Sequence, residues 1–326
     1  MPLSENGLLS AYALDGKGGG KKLDWDEIRA WPRTGDGFLW VHMEVDGTIS
    51  RKWLLEESGI EPEVCNALLA ETTRPRIMEA NDALIVFLRG VNLNPGAEPD
   101  DMVSIRVFVE HNRIISLCHR RLMAVGDIIE TIEPGKGPTS PGGFIVRLGE
   151  RLTARMEPVI ENLDDRVSQL EDAVLSQGEA DLPDDFSDLR VTIIHLLRYL
   201  TPQREAFSEL KTKSLSGITK AHRIRLAEIS DRAFRYVEDL TSLRDRLTII
   251  HDEIRVKSNE RLNKSMYLLT LIASILLPPS LIAGLLGVNV GGIPGAETTW
   301  AFVAVILLVI VLGGIEVWIL RRLKFI

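Results

Sequence analysis

Apolar residues recur along this chain in three rhythms, and each predicts a different kind of element. Between Met266 and Leu320 only Glu297 and Glu316 carry charge. Met266 to Val290 is 25 residues, about 37 Å as a helix, and Trp300 to Leu320 is 21 residues, about 31 Å, against a hydrocarbon core of roughly 30 Å. Each run is long enough to cross a bilayer once. The alternative is a buried apolar hairpin within a soluble protein.

Upstream, the rhythm is that of long amphipathic helices. Ile145, Leu148, Leu152, Met156, Val159, Leu163, Val167, Leu170 and Val174 advance 29 residues in eight steps, the 3.6-residue period of one helix face. Pro158 falls inside this run and should bend it. A second helix is expected from Asp185 to Lys213. A third set, Leu226, Ile229, Ala233, Tyr236, Leu240, Leu243, Leu247, Ile250 and Ile254, alternates steps of three and four over 28 residues, the 3.5 repeat of a packing seam. No proline or glycine interrupts Thr219 to Leu277, so stalk and first span are expected to form one helix. From Thr219 to Asn289 that helix would measure about 105 Å.

The N-terminal third reads differently. Short β-rich runs at Gly37 to His42, Ala83 to Leu88, Ser104 to Val109 and Arg113 to Cys118 alternate with helical patterns at Trp53 to Ser58, Pro62 to Ala70 and Arg121 to Glu133. Seven of the ten residues in 134–143 are Pro or Gly, which reads as a linker. The expected organisation is an α/β domain (1–133), the linker (134–143), a helical stalk (144–265), a first span (266–290), a loop (291–299), a second span (300–320) and a basic tail (321–326). The fold class is an α+β membrane protein.

Charge sets the orientation. Arg255, Lys257, Arg261 and Lys264 precede the first span and Arg321, Arg322 and Lys324 follow the second, whereas the intervening loop has Glu297 and no base. The positive-inside rule places both termini in the cytoplasm. The first thirty residues lack the apolar core of a signal peptide, so a C-terminal hairpin anchors a cytoplasmic body. The 38 Lys+Arg against 46 Asp+Glu give a net charge of −8, which excludes a basic nucleic-acid binder. A mean hydropathy of +0.07 averages that charged body with the apolar hairpin. The two cysteines, Cys65 and Cys118, are expected as free thiols, and the six histidines show no ligand spacing.

No nucleophile motif, phosphate loop or catalytic carboxylate pair is evident, so an enzyme is not expected. Two helices cannot enclose water. A conducting hairpin must therefore build its lumen from several copies around an axis. The first span has a polar face for this purpose, with Asn263, Met266 or Tyr267, Thr270, Ser274, Leu277, Leu281, Gly284 and Asn289 near one stripe. Local bonding of Ser and Thr to backbone carbonyls is the plainer reading of any single member. The second span has no such stripe and is expected to face lipid, with Glu316 snorkelling or paired to a nearby base.

The segment Tyr267-Leu268-Leu269-Thr270, followed by Leu277-Pro278-Pro279-Ser280-Leu281-Ile282-Ala283-Gly284-Leu285-Leu286-Gly287-Val288-Asn289, resembles the CorA family of divalent-cation transporters. That family carries a Gly-Met-Asn signature at the outer end of the first span; here Val288 replaces Met. The continuation Val290 to Gly295 is similar to the ZntB branch, associated with zinc, and Arg74-Pro75-Arg76 with strand Leu84 to Leu88 is also family-like. The resemblance implies a funnel-shaped homopentamer of the inner membrane, with an α/β/α cytoplasmic domain and no prosthetic group. It implies Gly287, Val288 and Asn289 at the pore entrance, and Asn263, Met266, Thr270, Leu277, Ser280 and Gly284 along the lumen. Glu297 would concentrate cations at the mouth, although magnesium members often carry an acid directly after the loop proline and here Gly295 and Ala296 intervene.

The cargo implied is a divalent cation, zinc first, with magnesium, cobalt, nickel or cadmium as alternatives. Passive flow in either direction and cotransport with protons all fit this sequence. The implied partners are other copies of the chain, membrane lipid and the cations themselves, with no nucleic acid. A different class, a membrane-anchored coiled-coil scaffold or sensor, fits the same hairpin.

Overall fold

The computed structural model describes residues 6–32, 37–177, 185–213, 217–288, 295 and 298–322. They fall into two compact units, the first ending at His251 and the second beginning at Asp252.

The first unit is built on a seven-stranded sheet. Its strands are β1 (Leu8–Leu14), β2 (Gly20–Lys22), β3 (Phe38–Glu44), β4 (Arg76–Ala80), β5 (Ala83–Gly90), β6 (Val103–Val109) and β7 (Arg113–Cys118), in the order β2-β1-β3-β7-β6-β5-β4. Only β3 and β7 run parallel, with Trp40 opposite Ile114 and His42 opposite Ser116. Helices cover both faces. On one lie α1 (Trp25–Arg29), α2 (Thr48–Lys52) with the π-helical turn Trp53–Glu57, and α3 (Pro62–Leu69), whose Trp53, Leu54, Cys65 and Leu68 pack against Val41, Phe87 and Leu117. On the other, α4 (Met123–Ile129) and α5 (Pro141–Gln177) join α6 (Phe186–Leu210) and α7 (Lys220–Leu286) in one apolar cluster around Trp40, Val107 and Phe144. The result is α/β/α layering, because a sheet apolar on both faces must be covered twice.

Segment 134–143 marks the change from mixed to helical structure, but it does not separate two cores. Gly137 N–H donates to Gly18 O at 2.7 Å, and Gly135 takes a left-handed φ of 71° to make the turn. Ser140 Oγ then accepts from Gly143 N–H at 3.0 Å and starts α5. Up to His251 the stalk helices therefore belong to the same compact body as the sheet.

All nine seam residues from Leu226 to Ile254 are buried. On α5 the expected face is buried except at Val159, where Ile160 takes the place. The one-position step follows Pro158, which removes the helical donor to Ala154 O. Charged side chains lock the helices to one another. Arg246 of α7 spans Asp164 (2.8 Å), Ser168 (3.0 Å) and Glu171 (2.6 Å) of α5, and Arg155 of α5 pairs with Asp127 of α4. Gln203 of α6 is buried with its carboxamide against β5, accepting from Arg89 N–H at 2.6 Å and donating to Arg89 O at 3.0 Å. It supplies the ladder bonds that an adjacent strand would make.

Several polar groups within the sheet are likewise engaged. Trp40 Nε1–H donates to Ser116 Oγ at 2.9 Å, and His42 Nδ1 lies 2.9 Å from the same oxygen. Burial pushes the His42 imidazole down to about 4. Arg106 is fully buried, donating to Leu68 O at 3.1 Å and lying 2.9 Å from His119 Nε2, and burial pushes its guanidinium down to about 10. Arginine only donates, so His119 Nε2 accepts, and the ring proton sits on Nδ1 facing Asp46 Oδ2 at 2.9 Å.

The second unit holds the span region of α7 and helix α8 (Thr299–Arg322). Helix α7 ends at Leu286, short of the expected end of the first span at 290. Gly287 N–H still donates to Ala283 O at 2.9 Å, and glycine's poor helix propensity ends the run there.

Two stability outcomes follow. Gln203→Leu leaves the Arg89 N–H and C=O unpaired in the core and is expected to cost about 2–4 kcal/mol, read by chemical denaturation of the full-length protein. His42 binds its proton near 4 when folded and near 6.5 when unfolded, so the stability due to its neutral form is complete above pH 6.5 and declines as pH falls towards 4. The stability difference between wild type and His42→Gln is expected to shrink by about 3 kcal/mol between pH 7 and 4, as measured by denaturation at each pH.

Candidate ion pathway on the first span

Nothing in the most apolar stretch of α7 or of α8 is buried. Met266 and Leu277 are each 65% exposed, and no residue of α8 is buried. That overturns the buried soluble hairpin, because a core helix would have covered these side chains. Trp300 and Trp318 are both exposed and lie eighteen residues apart, about 27 Å along α8, which matches interfacial aromatic anchors at the two edges of a bilayer.

Asn263, Thr270, Leu277 and Gly284 follow one another at intervals of seven on α7, and Met266 and Ser280 form the neighbouring column, which Gly287 continues just past the helix end. The two columns stand three residues apart and share one face. All seven positions are exposed in the single chain. Gly284 meets nothing within 4 Å of where a Cβ would stand, whereas at Gly287 a Cβ would come within 3.1 Å of Ala283 O. That oxygen belongs to Gly287's own turn, and the left-handed φ that a terminal glycine could adopt is seen instead at Gly295, at 83°. Val288 is 48% exposed. Asn289 and Glu297 lie outside the described residues.

The hydroxyls on this span bond locally. Thr270 Oγ1 donates to Met266 O at 2.9 Å and Ser274 Oγ donates to Leu271 O at 2.9 Å. A hydroxyl whose proton is committed to its own helix presents only lone pairs outward. Pro278 and Pro279 lie within the helix and have no N–H, so Ser274 O and Ile275 O lose their usual helical donors. Within one segment the chain thus offers several oxygen acceptors and no base, which suits the outward-pointing protons of a hydrated cation. On α8, one carboxylate oxygen of Glu316 is enclosed with no hydrogen-bond partner among the described residues.

Direct metal ligation has no counterpart among the described residues, where no three His, Cys, Asp or Glu side chains converge on one point. The histidines serve elsewhere: His195 Nδ1 lies 2.8 Å from Asp100, His222 Nδ1 lies 3.2 Å from Gly217 O, and His251 stacks on Phe186. Cys118 Sγ is 3.6 Å from His42 Nε2, but burial pushes its thiol up to about 12, so it is held as S–H. His119 is turned to the opposite face of the sheet, towards Arg106.

The profile of the CorA-like Mg²⁺ transporter protein family matches residues 35–322. The chain is 38% identical over 324 residues to the divalent cation transporter CmaX of Pseudomonas aeruginosa, covering 98% of this chain and 97% of that one. The solved full-length CmaX superposes with a TM-score of 0.85 over 98% of this chain and 99% of that one. Zinc transport protein ZntB of Pectobacterium carotovorum is 34% identical over 328 residues, 99% of this chain and 97% of that protein. The CorA magnesium transporter of Methanocaldococcus jannaschii, at 22% identity, shares the fold with a TM-score of 0.79 over 97% of this chain and 98% of that one. These relatives are transporters rather than enzymes, and with the match running from the sheet through both apolar helices, the chain belongs to the CorA-like Mg²⁺ transporter protein family.

Proposed function

We propose that this chain carries divalent cations, zinc first among them, across the inner membrane through an axial pore lined by the first span of five copies. The observation that carries the reading is the acceptor-bearing face of α7, with Asn263 and Thr270 in one seven-residue register and Met266, Ser280 and Gly287 beside it. A face with that register can be shared around an axis, and the small residues Ala273, Ala283 and Gly284 allow close approach between copies. A divalent ion is reluctant to shed its water. Neutral oxygens that accept hydrogen bonds from the ion's hydration shell select it without trapping it, which a ring of carboxylates would tend to do.

Asn289, Val288 and Gly287 form the outer mouth in this reading, with five Asn289 carboxamides meeting the hydrated ion and Glu297 raising the local cation concentration. Both termini are cytoplasmic. Zinc is favoured over magnesium by the ZntB relatives and by the absence of an acid directly after Pro294. The magnesium, cobalt or nickel channel is the second reading, and the family description with its magnesium members supports it.

Two outcomes test this. Asn289→Ala is expected to lower zinc flux into proteoliposomes by about tenfold or more, a loss of about 1.4 kcal/mol in the pore, with the oligomer unchanged on size exclusion; undiminished flux removes Asn289 from the pathway. Tracer flux of zinc is expected to exceed that of magnesium, measured with and without a proton gradient. Magnesium outpacing zinc would assign the chain to the second reading, and no flux of either ion would leave the hairpin as a tether.

A further inference from the structure

The cytoplasmic end of α8 carries a cluster that ion conduction does not use. Arg321 and Arg322 occupy its last turn, and both are exposed. The Arg322 guanidinium is folded back 5.3 Å over the Trp318 ring, which is 58% exposed. Trp318 precedes Arg321 by three residues and Arg322 by four, so the three side chains share one patch of the helix. Among the described residues neither arginine has a carboxylate partner. Glu316 stands five and six residues before them, a spacing that does not bring side chains together on a helix.

The plain reading of two arginines in a last turn is that they complement the helix dipole or snorkel into water. The Arg322 side chain runs back along the helix, so its guanidinium stands at the depth of the indole. With Trp300 anchoring the far edge, that depth is the headgroup boundary, where phosphate groups lie. A guanidinium offers a planar fork that matches two phosphate oxygens, and stacking on the indole holds that fork in place.

We propose that Trp318, Arg321 and Arg322 form a headgroup site for an anionic phospholipid of the cytoplasmic leaflet. Two cations with no carboxylate partner among the described residues complement a headgroup carrying net negative charge, whereas the ammonium of a choline headgroup would meet repulsion there. The site rests on the membrane-spanning part of the proposed function but not on the identity of the transported ion.

The test uses the full-length protein reconstituted in phosphatidylcholine vesicles containing either brominated phosphatidylglycerol or brominated phosphatidylcholine, with quenching of tryptophan fluorescence as the readout. Wild type is expected to be quenched preferentially by the brominated phosphatidylglycerol. R321Q/R322Q is expected to lose that preference by about fivefold for each arginine, leaving what Arg261 and Lys264 supply at the start of the other span. W318F identifies the share of quenching that arises at the site, and R322K separates the fork from plain charge, with a partial loss expected. Zinc flux retained by the variants shows that they fold. Equal quenching of wild type by the two brominated lipids, or an undiminished preference in R321Q/R322Q, would overturn the proposal while the membrane reading stands. Failure of wild type to float with vesicles of phosphatidylcholine alone would instead overturn the membrane reading itself.

Discussion

A helix entering hydrocarbon cannot surrender its internal hydrogen bonds, and the long helix α7 is organised around that constraint. From Leu226 to Ile254 it presents an apolar seam; from Met266 onward apolar side chains surround a narrow face that carries Thr270, Ser274 and Ser280. The same backbone serves two solvents with no break between them. Only Pro278 and Pro279 interrupt the ladder, at the depth where the carbonyls they release have few other donors. Those carbonyls, together with hydroxyls already committed to their own turn, are what gives the span its oxygen character.

The cytoplasmic unit meets a related demand in a different way. Its central strands are buried on both faces, so every polar group within them must find a partner in the protein. Ser116 answers both Trp40 and His42, the carboxamide of Gln203 completes the ladder of β5, and Arg106 reaches backbone carbonyls and a neutral imidazole instead of an acid. Among the described residues this leaves Arg106 Nε without a partner in the core, as Ser10 Oγ is on β1.

The helices were the legible part of the fold. Packing periodicity persists over many turns, so the seam on α7 and the face on α5 could be read residue by residue, up to the slip from Val159 to Ile160 at the proline. The strands were harder. β3, β5, β6 and β7 stand out as apolar runs, whereas β1 mixes polar with apolar residues, β2 is only Gly20–Lys22, and β4 is an exposed edge strand without clean alternation. Nothing in the sequence announced that Gln203 would act as a strand surrogate, because its role depends on a partner more than a hundred residues away. The Pro/Gly segment at 134–143 looked like a tether for the same reason: its contact with Gly18 is long-range. On the first span, the shared face of Asn263, Thr270, Leu277 and Gly284 was visible from spacing alone. The local bonds that leave Thr270 and Ser274 with only lone pairs outward needed coordinates.

The two native cysteines have a practical consequence. Cys65 and Cys118 lie in the sheet unit, both fully enclosed, and burial raises both thiols above their ordinary value. Neither is poised to react with a water-soluble maleimide while the protein is folded. A single cysteine introduced anywhere along the described part of the first span would therefore stand against an almost silent background, and the natural sequence can serve as its own scaffold for mapping which positions along the hairpin are reached from water.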